Sequence, residues 1–177
     1  MNVQRFWKLI EDARCQVADP ADGDAVAAEA MALLSARPGD EIIAADQVLR
    51  DLLARSYRDS LWAAAYTING GCSDDGFDYF RGWLITQGQG VFEQVLADPD
   101  SLADLPMVRA AAPHGVIDCE AALVIAWDAH LEATGDQLPD YVSTTQYPDP
   151  DPEWAFDFDD RAELRRRLPE LAALYLV

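Results

Sequence analysis

The chain has 177 residues, half of them hydrophobic, and a formal net charge of −19, which suits a single domain with one sizeable core and excludes disorder throughout. No charge-free run is long enough to span a bilayer, and Met1 to Val17 carries Arg5, Lys8, Glu11, Asp12 and Arg14, unlike a signal peptide, so a cytoplasmic protein with no membrane partner is expected. The acidic excess argues against direct nucleic-acid binding, which needs basic surface to replace counterions, and the scattered Cys15, Cys72 and Cys119 argue against a disulfide framework.

In chain order, Asn2 is placed to cap a first helix to about Val17, with Phe6, Ile10, Ala13 and Val17 as its buried stripe. Asp24 is placed to cap a second helix to Ala36, and Pro38-Gly39 turns the chain. Asp40 then opens a third helix to about Tyr57, with Arg58-Asp59-Ser60 as a corner or kink. Leu61 to Ile68, apolar on most sides and holding three consecutive alanines, reads as a central buried helix rather than a strand.

That helix runs into Asn-Gly-Gly-Cys-Ser-Asp-Asp-Gly-Phe-Asp-Tyr-Phe-Arg-Gly-Trp-Leu, residues 69–84, where aromatic, acidic and glycine residues crowd together. Asn69, Gly70 and Gly71 suit the left-handed conformations that end a helix, and Ser73 suits the cap of the next. Asp74 and Asp75 fall in its first turn, where the helix dipole favours negative charge. Phe77, Phe80, Trp83 and Leu84 form an apolar arc edged by Asp74, Asp78 and Arg81, and Gly76 and Gly82 suggest close approach of another backbone or a ligand.

Beyond the corner, Gly90 to Ala97 forms a short helix stopped by Asp98-Pro99, and Leu102 to Ala112 is ambiguous. Pro113-His114-Gly115 is a turn, and Asp118 is placed to cap a helix to Thr134, closed by Gly135. Tyr147 to Pro152 reads as an extended polyproline-like arm. A final helix from about Asp160 to Leu176 contains Pro169, which kinks or splits it. The expected fold is therefore an all-α, single-domain bundle of about six or seven helices. Residues 1–138 form its body, and residues 139–177 an acidic proline-containing arm and a C-terminal helix that docks back.

The 69–84 stretch resembles the signature of an uncharacterised bacterial family, domain of unknown function 4240. Phe6-Trp7, Trp62-Ala-Ala-Ala-Tyr66 and Phe92 to Leu105 extend the resemblance over roughly the first two-thirds of the chain and, more loosely, to the terminal helix; Ala110 to Tyr147 is less similar. The resemblance implies no established activity, cofactor or catalytic residue. Because members occur as modules beside other domains, it leans towards interaction or regulation.

The candidate binding residues are Asn69, Cys72, Asp74, Asp75, Arg81 and Trp83. Cys72 at a helix N-terminus has the setting of an activated thiol, but nothing brings His114 or His130 to it as a base. Asp74 and Asp75 offer oxygens to a cation without the spacing of a calcium loop, and 69–71 lacks the spacing of a phosphate loop, so no metal or cofactor is expected. Trp62, Tyr66, Phe77, Phe80 and Trp83 suit a ligand pocket, with core packing as the simpler reading. Arg81 beside aromatic rings must meet a carboxylate or a small anionic ligand.

From Ala110 to Asp160 there are twelve acidic residues and no Lys or Arg, a charge that fits plain solubility, a bound cation or a basic protein partner. Two function classes stay open. One is an interaction or regulatory module without catalysis. The other is a hydrolase- or transferase-type enzyme at the corner, with Asp74 or Asp75 as base or cation ligand and Arg81 meeting an anionic group.

Overall fold

The fold follows from a series of short amphipathic helices whose caps are mostly local. The computed structural model describes residues 1–176. It is all-α: ten α-helices and three 3₁₀ segments, with no strand among the described residues. The body comprises α1 (Val3–Arg14), α2 (Gly23–Ser35), α3 (Gly39–Arg55), α4 (Asp59–Asn69), α5 (Asp74–Thr86), α6 (Gln89–Ala97), α7 (Pro106–Ala111) and α8 (Ile125–Thr134). The terminal pair is α9 (Arg161–Arg167) and α10 (Pro169–Tyr175).

Asn2 caps α1 by accepting from the Arg5 N–H at 2.9 Å, and Phe6, Trp7, Leu9, Ile10 and Ala13 are buried. Alanine-rich α2 packs between α1 and α8, its Val26, Ala27, Ala30 and Leu34 all turned inward. The second half of α5 is buried on every side, from Phe80 to Thr86. This helix is the axis of the core, together with the buried Leu61, Ala63, Ala64, Ala65 and Ile68 of α4. Gly70 ends α4 in the left-handed region (φ 66°), where a side chain would be strained.

The helices outnumber the six or seven expected, for reasons that lie in particular residues. The terminal helix is divided: Leu168, before Pro169, is forced out of helical geometry (φ −130°, ψ 60°). Leu102 to Ala112 resolves into the 3₁₀ segment Pro99–Asp104 and α7. Asp118 caps nothing. The chain after it is extended at Cys119, whose N–H donates to the Tyr79 carbonyl of α5 at 3.0 Å, and it passes through the 3₁₀ segment Glu120–Val124 before α8 begins. Asp24 and Asp40 lie inside first turns rather than at caps. Asp22 caps α2, accepting from the Ala25 N–H at 3.1 Å, and α3 starts directly after Pro38.

The segment from Pro139 to Asp160 returns across the face of α3 and α4. Tyr141 donates to Asp46 at 2.6 Å, and Thr145 to Asp51 at 2.9 Å. The Asp151 N–H donates to Asp59 at 2.8 Å, and the Tyr66 hydroxyl of α4 donates to Asp159 at 2.6 Å. α10 then packs against α4 and the 3₁₀ segment Pro99–Asp104. Its first N–H groups, on Glu170 and Leu171, donate to the Asp100 carboxylate at 3.0 and 2.9 Å, so a distant aspartate supplies the cap.

Candidate functional site

At the corner, Ser73 opens α5 by accepting from the Gly76 N–H at 3.2 Å. From that start the helical period turns Phe77 and Arg81 to one side and Gly82 and Trp83 towards the others. Arg81 is 2% exposed. Its guanidinium sits between the rings of Tyr57 and Phe77, 4.9 and 4.8 Å from their centroids, and it donates to the Asp78 carboxylate and the Leu53 carbonyl. Its Nε has no hydrogen-bond partner. Burial pulls the Arg81 pKa below the usual arginine value, and the neighbouring Asp78 carboxylate opposes that shift. Tyr147 of the arm stands edge-on to Tyr57 at 5.5 Å. The anion that Arg81 required is thus the half-exposed Asp78, three residues away.

The other candidates are distributed around this point rather than gathered on it. Asn69 is a structural clamp: its side-chain amide donates to the Ile117 carbonyl at 3.1 Å and accepts from the Ile117 N–H at 2.9 Å, tying the corner to the 113–119 loop. Asp74 and Asp75 are exposed in the first turn of α5. Cys72 is half-buried, and burial pushes its thiol up to about 11, which removes the thiolate a nucleophile needs at neutral pH.

Trp83 faces away from Arg81. Its indole N–H points to the Met107 sulfur at 3.2 Å, at the edge of a cavity that Asp19, Asp22, Asp24 and Asp118 also line. Beside that cavity the buried Cys119 thiol donates to Asp24, and burial raises it to about 12. Among the described residues no group of three or more His, Cys, Asp or Glu is placed to hold a metal ion.

The two glycines of α5 differ. A Cβ on Gly82 would meet the Cys119 carbonyl at 2.7 Å, so another backbone does approach there. A Cβ on Gly76 would meet only Ser73 and Cys72 of its own cap, at 3.3 and 3.7 Å.

A recess adjoins the corner, between α4 and the arm. Trp62 stacks on Phe77 (4.8 Å, 11° between planes) and donates its indole N–H to the Cys72 carbonyl at 3.0 Å. With Tyr66 and Cys72 it forms one wall of a cavity of about 460 Å³, and Trp154, Phe156 and Phe158 form the other. A second cavity, of about 450 Å³, adjoins it beneath Tyr57 and Pro148. The stretch Pro150 to Pro152, held to Asp59, borders both.

Sequence reasoning placed Trp62 and Tyr66 among possible pocket residues but missed the arm's contribution. The available signal was the density of rings, Trp154, Phe156 and Phe158 within five residues, which is costly to leave in water; the chain there is a 3₁₀ segment followed by a bend and a turn, so no strand-like period marked it.

Together these features describe an acidic all-α protein whose Arg81 is enclosed beside an exposed glycine-rich corner and whose recess is built from aromatic rings of a helix and a returning arm. The chain belongs to the family described as a protein of unknown function, DUF4240, whose model matches residues 1–132. The match takes in the corner and most of α8, beyond the point where the resemblance weakens, and ends before the arm and the two terminal helices. No curated protein and no solved structure matches the chain. Among the described residues no helix is long and apolar enough to cross a membrane.

Proposed function

We propose that this protein is a cytoplasmic binding module that engages a basic protein segment and performs no catalysis. The observation that carries the reading is the lobe from Ala110 to Asp160, with twelve carboxylates and no Lys or Arg. Its arm holds Asp140, Asp149, Asp151, Glu153 and Asp157 exposed along one returning strand of chain. Such a surface attracts and orients a cationic partner over a Debye length and repels nucleic acid. The enzyme reading requires Asp74, Asp75 and Arg81 to converge on an open cavity. Arg81 is instead enclosed by Asp78, the Leu53 carbonyl and two rings, which supports the module.

The test is the affinity of a lysine-rich peptide for the wild type and for the triple variant Asp140→Asn, Asp149→Asn, Glu153→Gln, across a salt series. The expected result is binding that weakens with salt and weakens again in the triple variant, while Asp74→Asn with Asp75→Asn leaves it nearly unchanged. Absence of binding at low salt, or affinity indifferent to the arm charges, overturns the proposal.

A further inference from the structure

We infer that the cavity between α4 and the arm receives the guanidinium of an arginine side chain from a basic partner segment; the inference rests on the binding-module reading and assigns it a site. A row of aromatic rings runs beside the cavity. Arg81 lies against Phe77, and Phe77 stacks on Trp62. At the far end Arg167 lies 5.1 Å from the centroids of both Trp154 and Phe156. Each end of the row therefore holds a guanidinium against aromatic faces, and the cavity of about 460 Å³ opens between Trp62 and the Trp154–Phe156–Phe158 wall.

The chemistry of this gap selects the occupant. Indole and phenyl faces carry negative quadrupole potential and attract cations, arginine more often than lysine because its planar group also stacks. At the rim are the carboxylates of Asp59 and Asp151, on a chain whose net charge is −19. An anionic ligand is repelled there; each carboxylate accepts one backbone N–H, from Asp151 and from Glu153, and keeps acceptor capacity that only a cationic or donor-rich guest meets. A guanidinium uses both the rings and the charge. An extended peptide is the natural carrier, because the adjoining cavity beneath Tyr57 and Pro148 continues the recess past Asp59.

The experiment compares an oligoarginine peptide with its citrulline counterpart, which keeps the shape and lacks the charge, by calorimetry on the full chain at physiological ionic strength. Trp154→Leu and Phe156→Leu, checked for helix content by circular dichroism, remove rings while keeping apolar bulk. The expected result is oligoarginine binding that each Leu variant weakens by roughly tenfold, the scale of a desolvated cation–ring contact, and citrulline binding too weak to measure. Equal binding of the two peptides by the wild type overturns the inference without recourse to any variant. Unchanged oligoarginine affinity in folded Leu variants also overturns it, leaving the acidic module standing. Failure of the wild type to bind any basic peptide even at low salt removes the module itself.

Discussion

Replacing Arg81 separates the two ways in which a buried guanidinium can be held. In the structure it touches two rings, one backbone carbonyl and one carboxylate, and that carboxylate, on Asp78, is 47% exposed. Arg81→Ala strands the part-buried Leu53 carbonyl, at about 1–3 kcal/mol, and forfeits two cation–ring contacts of about 0.5–2 kcal/mol each. Relief from burying a charge offsets part of that loss, so a net destabilisation of about 2–4 kcal/mol is expected. Arg81→Met, which retains the packing of the stem, should cost roughly 1 kcal/mol less. Asp78→Asn should cost under about 1 kcal/mol, because the Asp78 carboxylate is itself half exposed to water and the amide oxygen of Asn still accepts from Arg81. Urea unfolding followed by circular dichroism, with unchanged m values, gives all three numbers. A loss for Asp78→Asn equal to that for Arg81→Ala would show that the carboxylate, and not the ring sandwich, holds the cation.

Three further outcomes follow from the same geometry. Gly82→Ala drives a methyl into the Cys119 carbonyl and should cost on the order of 1–3 kcal/mol, whereas Gly76→Ala should change stability by less than about 1 kcal/mol, which chemical denaturation of the pair will check. Thiol labelling at pH 8 should modify exposed Cys15 first, half-buried Cys72 slowly and buried Cys119 last; labelling led by Cys72 would restore it as a nucleophile. Burial and the bond to Asp46 push the Tyr141 hydroxyl up to about 12. Because the folded value lies above the unfolded one, its contribution is complete below about pH 10 and is lost as pH rises through about 12. Tyr141→Phe should therefore lose about 1–2 kcal/mol at neutral pH and show a smaller further loss between pH 10 and 12 than the wild type.

Much of this architecture is legible in short stretches of sequence because the determinants are local. Asn2, Ser73, Gly70 and Gly135 act on their own helix ends as their chemistry predicts. Pro169 divides the terminal helix through the residue before it. What sequence could not supply depends on distant partners. Asp118 fails as a cap because the next residue is drawn onto Tyr79, and α10 takes its cap from Asp100, some seventy residues earlier.

The same division runs through the site. That Arg81 needs an anion was readable from its neighbours, and Asp78 lies on the same helix face. That Tyr57 and Tyr147 complete its surroundings was not, since they come from the turn between α3 and α4 and from the arm. Asn69 drew attention through its residue type, yet its role is to hold the Ile117 backbone.

The five tryptophans, Trp7, Trp62, Trp83, Trp127 and Trp154, give one indole N–H reporter each, spread over the molecule. Titrating the isotope-labelled protein with an oligoarginine peptide and following those signals by nuclear magnetic resonance therefore tests most directly that function resides between α4 and the arm. The account predicts saturable shifts of the Trp62 and Trp154 indoles, with Trp7 and the buried Trp83 unmoved. A saturable shift of Trp83 with Trp62 and Trp154 unmoved would contradict it and move the site to the opposite side of α5.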